Sequence, residues 1–239
     1  MIRKATILVW LVSMLFFIQG CGGIKIAYKM NDIQAKRVED LSQLVLDVQI
    51  LEDIRQSVDD NRILFVSAKQ ARIGATTYCV NAEKHYDQGT VPNQISKLIA
   101  EHLKKKETFK EVTFNKREEA DVYLVGKLRR FYGQRVYSPA VTATLQTGMM
   151  FGAIGGALSS LATLTKMSGS VEIEFSELVI YRKDGSVAGK IDNIYEKVEK
   201  KINADGYCWS IYGAVNEELK NAVEKLAAEI EAALLPPKS

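Results

Sequence analysis

Apolar and polar residues alternate with a period of two in two long segments, which predicts two strands of one sheet. The first segment follows Ala120-Asp121, and its alternating residues run from Val122 to Leu128. In the second, one face is predicted to carry Val171, Ile173 and Phe175. Successive side chains of a strand point to opposite faces, so one face of each segment should be buried. The alternation slips at Glu177-Leu178, where we expect a β-bulge.

Two other segments have apolar residues at helical spacing. The first begins at Pro92, ends at Lys104-Lys105-Lys106 and has an apolar stripe of Ile95, Leu98, Ile99 and Leu103. The second runs from Ser210 to Leu235 and is followed by Pro236-Pro237, which should end it. Its apolar face is predicted to contain Tyr212, Val215, Leu219, Val223, Leu226 and Ile230.

Shorter apolar runs complete the predicted elements. We expect strands at Arg62–Ser67, Thr76–Val80 and Glu111–Phe114, and a further strand from Val187 to about Val198 after an Asp184-Gly185 turn. Residues 41–58 have the spacing of a helix, although residues 44–51 also suit a strand. Residues 24–37 mix charged and apolar side chains without a period, and are predicted to be a tether.

This order of elements predicts an α+β fold. We expect a mainly antiparallel sheet with two amphipathic helices on one face, because the strands of the second half follow one another as hairpins. The predicted domain covers residues 62–235 and is interrupted by an insertion at 139–165, while residues 21–61 form a tether and a helix.

The insertion is the most unusual part of the chain, because residues 136–165 carry no charge. Its apolar stretch exceeds the roughly 18 residues that mark a membrane segment. The flanking strands are predicted to share one sheet, so the chain has to return, and a helical hairpin bent at Gly155-Gly156 satisfies this. Its small residues, Gly148, Gly152 and Gly156, suit close packing against another helix, either in one leaflet or in a homo-oligomer. A buried core helix is the alternative.

The N-terminus has the three parts of a secretory signal. Arg3 and Lys4 precede an apolar run, which ends at Ile18-Gln19-Gly20-Cys21. This end resembles the lipobox of bacterial lipoproteins, a family in which the cysteine is acylated and becomes the first residue. The resemblance implies a signal peptide at residues 1–20 and lipid on Cys21. An uncleaved membrane anchor is the alternative. Gly22-Gly23 lacks the aspartate that retains such proteins in the inner membrane, so the resemblance implies the outer membrane, with a periplasmic body.

The charge balance bears on nucleic-acid binding, and the cysteine content bears on disulfide formation. Removal of the signal leaves 30 Lys and Arg against 29 Asp and Glu, and such a balance gives no reason to expect nucleic-acid binding. Cys79 and Cys208 then remain, and an oxidising compartment makes them a candidate disulfide, with two buried thiols as the alternative.

The sequence contains no recognisable catalytic, metal-binding or cofactor-binding motif. His85 and His102 are far apart, and we expect His102 to be solvated on the flank of its helix. Glu172 and Glu174 share a strand face and are predicted to pair with Lys127 or Arg129 across the sheet. We therefore expect a protein that is not an enzyme and holds neither a cofactor nor a metal. A hydrolase or transferase with an unrecognised site is the alternative.

The series of lipobox, early strand, helix, Ala120-Asp121 strand, Asp184-Gly185 hairpin and closing helix resembles small periplasmic lipoproteins of lipid-transport and envelope ABC systems. The resemblance implies a lipid-anchored accessory protein that contacts envelope proteins or the bilayer. The lipobox and the apolar Gly-rich insertion also resemble, in layout, the surface-exclusion lipoproteins of plasmid transfer. That resemblance implies, as the alternative, a self-oligomerising outer-membrane lipoprotein that inserts its hairpin into the membrane.

Overall fold

A mixed sheet with two helices on one face is the framework of the computed structural model, which describes residues 26–55, 76–79, 90–136, 166–203 and 209–235. The helices are α1 (Val91–Lys106) and α2 (Trp209–Leu234), and a short 3₁₀ turn spans Arg117–Glu119. The strands are β1 (Val45–Val48), β2 (Glu52–Asp53), β3 (Thr76–Cys79), β4 (Glu111–Phe114), β5 (Val122–Val136), β6 (Lys166–Arg182), β7 (Val187–Ile191) and β8 (Ile194–Asn203).

The long antiparallel pair of β5 and β6 forms the centre of the sheet. Strands β4, β1, β5, β6 and β7 lie side by side in that order, β8 pairs with β6, and β2 and β3 pair with β5. Strand β1 is parallel to both β4 and β5, and β2 is parallel to β5. The α+β class is thus confirmed, but the sheet is mixed and not mainly antiparallel as predicted. The reason is the crossover through α1, which returns the chain to the same end before β4 begins.

The helix predicted at residues 41–58 is wrong, and its described part contains β1 and β2 instead. The alternative of a strand within residues 44–51 is confirmed by β1. Leu46, which the helical spacing omits, is fully buried, as is Asp47 beside it. Strand β1 lies inside the sheet between β4 and β5, and its faces are covered by α1 on the side of Leu46 and by Thr113 and Lys116 on the side of Asp47. Apolar spacing therefore did not distinguish a helix from a strand here.

A bulge interrupts β6 where the alternation slips, as predicted. Glu177 has a left-handed φ of 50°, and the register between β5 and β6 shifts at this point. The strand predicted from Val187 to about Val198 is divided into β7 and β8, because Asp192 and Asn193 lie opposite the bulge. A second shift places Arg129 as an extra residue in β5.

Both helices pack their predicted apolar stripes on the sheet. In α1 the stripe is buried, and Glu107 ends the helix in a left-handed conformation. In α2 the predicted core positions with described side chains are all fully buried: Val215, Leu219, Val223, Leu226 and Ile230. The helices run side by side in the same direction, and Lys106 of α1 forms an ion pair with Glu231 of α2.

Residues 26–38, here called the strap, lie along the outer side of both helices. Ile26 is buried, and the Ala27 amide donates a hydrogen bond to Asn216 Oδ1 of α2 at 3.4 Å. Further along, the Lys36 amide donates to the Lys106 carbonyl oxygen of α1 at 2.8 Å. The described part of the predicted tether is therefore packed against the body along its length.

Several predicted features lie outside the described residues: the signal and lipobox, the strand at 62–67, His85, the insertion with Gly148, Gly152, Gly155 and Gly156, and Cys208. The strands on either side of the insertion do share one sheet, as expected, since Val136 pairs with Ser168. Among the helices of the described residues, none has the length and apolarity to span a membrane.

Candidate functional site

In the part of the chain that the structure describes, both helices lie on one face of the sheet, and the other is here called the helix-free face. It carries a set of charged and aromatic side chains, here called the ion network. It lies on β5, β6 and β8 in two cross-strand rows, one of Tyr132, Glu172 and Lys197 and one of Arg130, Glu174 and Tyr195. These residues alternate along their strands with core residues, so they project away from α1 and α2. Arg129 joins the network from the bulge in β5.

Glu172 is the centre of the network. Its Oε2 accepts from Arg130 Nη1 at 2.6 Å, from the Tyr132 hydroxyl at 2.8 Å and from the Tyr195 hydroxyl at 3.2 Å. Its Oε1 lies 3.2 Å from Lys197 Nζ. Burial raises the pKa of this carboxyl, but the hydrogen bonds from Tyr132, Arg130 and Lys197 outweigh burial and bring the pKa below its ordinary value.

Glu174 is held by two consecutive arginines. Its Oε2 is 2.9 Å from Arg130 Nε, and its Oε1 is 3.4 Å from Arg129 Nη1. Consecutive strand residues normally point to opposite faces, but the bulge at Arg129 lets both guanidinium groups reach the same carboxylate. The predicted pairing with Arg129 is therefore confirmed for Glu174.

Lys127, the other predicted partner of these carboxylates, is not in the network. Its Nζ lies 2.8 Å from Glu177 and 3.6 Å from Glu52. The hydrogen bond to Glu177 raises the pKa of Lys127. The prediction failed because the two bulges shift the register between β5 and β6, and period-two counting assumes a constant register.

The chemistry of the network favours a fixed surface over acid–base catalysis. A general base at neutral pH needs a pKa near the working pH, whereas the pKa of Glu172 is lowered. The hydrogen bond and charge of Glu172 raise the pKa of Lys197, which stays a cation. Three cations and two carboxylates leave a net charge of about +1, too little for a strong anion site.

The helix-free face continues toward the start of β5 as an aromatic stack. The rings of Tyr123 and Tyr181, which are cross-strand neighbours, are stacked with centroids 5.5 Å apart. The guanidinium of Arg117 lies 4.1 Å from the centroid of the Tyr123 ring. Tyr123 is almost completely buried. Planar, partly desolvated groups of this kind are typical of protein interaction surfaces.

His102 is buried and not solvated, so that prediction was wrong. Its Nδ1 lies 3.2 Å from the hydroxyl of Tyr28 in the strap, and its side chain is covered by the strap and α2. Burial lowers the pKa of His102 and, with the charges of Glu224 and Glu101, raises that of Tyr28. The pair is a contact between the strap and α1 that the sequence pattern did not reveal.

Asp47 is a second buried polar residue that sequence reasoning missed. Its Oδ1 accepts from Thr113 Oγ1 at 2.7 Å and from the Lys116 amide at 2.9 Å, and Gln49 Nε2 donates to its other oxygen. These bonds join β1 to the end of β4, so Asp47 has a structural role. The only signal in the sequence is an acidic residue inside an apolar run.

Of the predicted site residues, Cys79 lies in β3, with its backbone opposite Gly133 of β5. The disulfide with Cys208, the lipid on Cys21 and the glycine contacts of the insertion stay predictions. In the described ranges, no group of three or more His, Cys, Asp or Glu side chains is placed to hold a metal ion.

A surface cavity lies at the C-terminal end of α1. It has a volume of about 570 Å³ and is lined in part by Arg37, Lys104 and Lys110. Glu107 and Glu111 also line it, so its charges nearly cancel. It is therefore a weaker candidate for a charged ligand than its three cations suggest.

No protein-family model matches this chain, and no curated protein matches it. Eight chains of solved structures do. One is protein XCC0632 from Xanthomonas campestris, of family DUF330, with 10% identity, a TM-score of 0.41, and coverage of 83% of this chain and 91% of that one. Another, described as an uncharacterized protein, has 12% identity, a TM-score of 0.39, and coverage of 82% and 97%. These likenesses are distant.

Proposed function

We propose that this chain is a non-enzymatic lipoprotein of the bacterial envelope, anchored through Cys21, that acts as an accessory component of a transport or envelope-assembly system. Its body would lie in the periplasm at the outer membrane, where it contacts partner proteins or lipid. The observation that carries this proposal is the lipobox-like sequence Ile18-Gln19-Gly20-Cys21 after a charged start and an apolar run.

The packing of the strap supports an anchored body. Only four residues separate Cys21 from Ile26, which is buried against the helices. A lipid on Cys21 would therefore hold the body close to the bilayer, and would not leave it on a long flexible linker. Acyl chains contribute about 0.8 kcal/mol for each buried CH₂, so several chains on one cysteine give a stable attachment.

The ion network supports a binding role over a catalytic one. Its carboxylates are occupied by donors, and its arginines and tyrosines are the residue types that protein interfaces favour. The adjacent Tyr123–Tyr181 stack extends the same face.

The first test concerns the anchor. The wild-type chain should incorporate radioactive palmitate and float with outer-membrane vesicles in a density gradient, and Cys21→Ser should do neither. Cys79→Ser is the matched control, since it removes a cysteine outside the lipobox and should keep the label. Equal labelling of wild type and Cys21→Ser contradicts the proposal.

The alternative function, a self-oligomerising lipoprotein of the surface-exclusion type, is favoured by one observation. The charge-free segment 136–165 leaves and re-enters the sheet between two paired strands, as an insertion at one point of the surface would. The mass of the purified lipoprotein in detergent separates the functions: a monomer supports the accessory role and a closed homo-oligomer the alternative. Gly152→Leu should then dissociate that oligomer, because the added side chain blocks close helix contact.

A further inference from the structure

Strand β8 is an edge strand along its whole length. It pairs with residues 166–175 of β6 on one side, and β7 pairs with residues 178–181 on the same edge of β6. Among the residues that the structure describes, no strand pairs with the other side of β8. Every second residue of β8 therefore points its amide and carbonyl groups away from β6, where a further strand can bind them.

The charges of β8 match those of a second, antiparallel copy of the same strand. A two-fold axis at Val198 places each residue opposite the one that lies equally far from Val198 on the other side. The resulting pairs are Val198 with Val198, Lys197 with Glu199, Glu196 with Lys200 and Tyr195 with Lys201. Both kinds of ion pair occur twice because of the symmetry, and opposite charges across strands are stabilising. The ammonium group of a lysine also attracts the ring of a tyrosine.

No neighbouring register offers the same match. Val198 is the single uncharged residue from Glu196 to Lys201, so an axis at any other residue of this stretch places two identical charges opposite each other. An axis at Glu199, for example, brings two glutamates together and also places Lys197 opposite Lys201. Like charges directly opposite are destabilising. Lysines commonly protect an edge strand because they repel a second copy, whereas the charges of β8 attract one.

On the helix-free face, the side chains of this pattern are accessible. Lys197, Glu199 and Lys201 are exposed, and Lys197 Nζ lies 3.2 Å from Glu172 Oε1 in the ion network. Glu199 forms no ion pair within the described ranges of the chain. A second copy gives Glu199 a direct partner, namely Lys197 of that copy.

On the helix side, α2 holds the other two charges in place. Glu196 lies 3.2 Å from Lys225 Nζ, and Lys200 Nζ lies 2.6 Å from Glu217. These bonds restrict both side chains before a second copy binds, which reduces the conformational entropy lost on pairing. Val198, between them, is half-buried and packs against the core. The rest of its surface is covered by the same residue of the second copy.

We propose that two copies of this chain pair through β8, antiparallel and centred on Val198, so that their sheets join into one. The occupant of the edge is a second copy because the charge pattern of β8 is complementary to itself. The two ion networks then become neighbours on one continuous helix-free face. The contact requires neither lipid on Cys21 nor the glycines of the insertion, so it goes beyond the proposed function.

A cysteine in place of Val198 tests the register. Directly opposite residues of antiparallel strands have Cα atoms about 4.5–5.5 Å apart, which a disulfide can join. Under mild oxidation, Val198→Cys in the full chain should therefore link two copies. Mass spectrometry of the linked peptides distinguishes this disulfide from those of the native cysteines. Lys201→Cys is the matched control, because its thiol is more exposed but lies six residues along the strand from its copy, or about 20 Å.

Glu199→Lys tests the charges. It places a lysine opposite Lys197 at two points of the dimer and breaks no ion pair within the described part of one chain. Sedimentation of the purified lipoprotein in detergent should show a dimer for the wild type and a dissociation constant raised about tenfold for this variant. Glu118→Lys makes the same change of charge at an exposed position in the 3₁₀ turn and should leave the constant unchanged. Circular dichroism should show that both variants are folded.

Two results would overturn the pairing: linkage through position 198 that is no more frequent than through position 201, or a wild-type chain that is monomeric at every concentration. An assembly that Gly152→Leu dissociates and Glu199→Lys does not would show that the insertion joins the copies, and would also overturn it. Slow hydrogen exchange at every amide of β8 in a monomer would mean that another stretch of the same chain covers the edge. Since β8 pairing also raises the mass in detergent, the comparison of the two functions above uses Glu199→Lys, in which this contact is weakened.

Discussion

The two faces of the sheet are built from the same strands but are stabilised by different interactions. The helix-covered face is made of apolar residues such as Phe131, Ile173 and Phe175, all fully buried under α1 and α2. The helix-free face is made of the ion network and the Tyr123–Tyr181 stack. On the first face the stabilising contribution is the apolar area removed from water, which does not depend on the direction of individual contacts. On the second face it depends on which donor lies opposite which acceptor, and therefore on the bulges.

The largest effect of a substitution is expected on the helix-covered face. Phe175→Ala should lower the free energy of unfolding by about 3–5 kcal/mol, because it removes a buried ring and leaves a cavity. Chemical denaturation followed by circular dichroism would measure this. Val187→Ala, at an exposed position, is the control and should change the stability by less than about 0.5 kcal/mol. Similar losses for both variants would mean that the helix-covered face is not the core.

The helix-covered face is also the part of the fold that the sequence predicts well. The stripes of α1 and α2 and the alternation in β5 and β6 are long, so one periodicity dominates. Even the slip at Glu177-Leu178 is visible, because Phe175 and Leu178, both buried, are three residues apart. Leu128 and Phe131, both buried, have the same spacing on either side of the second bulge, which was not among the sequence-based predictions.

Periodicity could not predict β1, the packing of the strap or the partners of Glu172. Strand β1 is buried on both faces and only four residues long, too short to show a period of two. The strap has no period because its contacts lie between two helices and not along one face. The partners of Glu172 require the register of three strands, which depends on both bulges.

On the helix-free face, Glu172→Gln should lower the free energy of unfolding by about 1–2 kcal/mol. It keeps the size of the side chain but removes the charge that Arg130 and Lys197 compensate. Glu177→Gln is the matched control, because Glu177 pairs with Lys127 at an exposed position, and exposed pairs contribute about 0–1 kcal/mol. Equal effects of the two variants would remove the distinction between the ion network and an ordinary surface pair.

His102 of α1, which contacts Tyr28 of the strap, makes the free energy of unfolding depend on pH. Because burial lowers the pKa of His102 from its ordinary 6.5, the unfolded chain binds a proton more readily than the folded one. Its contribution to stability is therefore complete above pH 6.5 and is lost as the pH falls toward the lowered folded value. His102→Gln should flatten the dependence of stability on pH below 6.5, as measured by denaturation at several pH values. Asp32→Asn, which alters an exposed strap charge, should leave the slope unchanged.

The smallest expected effect concerns the bulge at Glu177 in β6. Glu177 is a non-glycine residue at φ 50°, a conformation that costs about 1–2 kcal/mol for residues with a Cβ. Glu177→Gly and Glu177→Ala both remove the ion pair with Lys127, so the difference between them isolates the backbone. We expect the glycine variant to be more stable than the alanine variant by about 1 kcal/mol or slightly less, because glycine is also more flexible when unfolded. If alanine is the more stable of the two in denaturation experiments, the strand does not bulge at this residue. The register shift between Val125 and Lys127 would then need another origin.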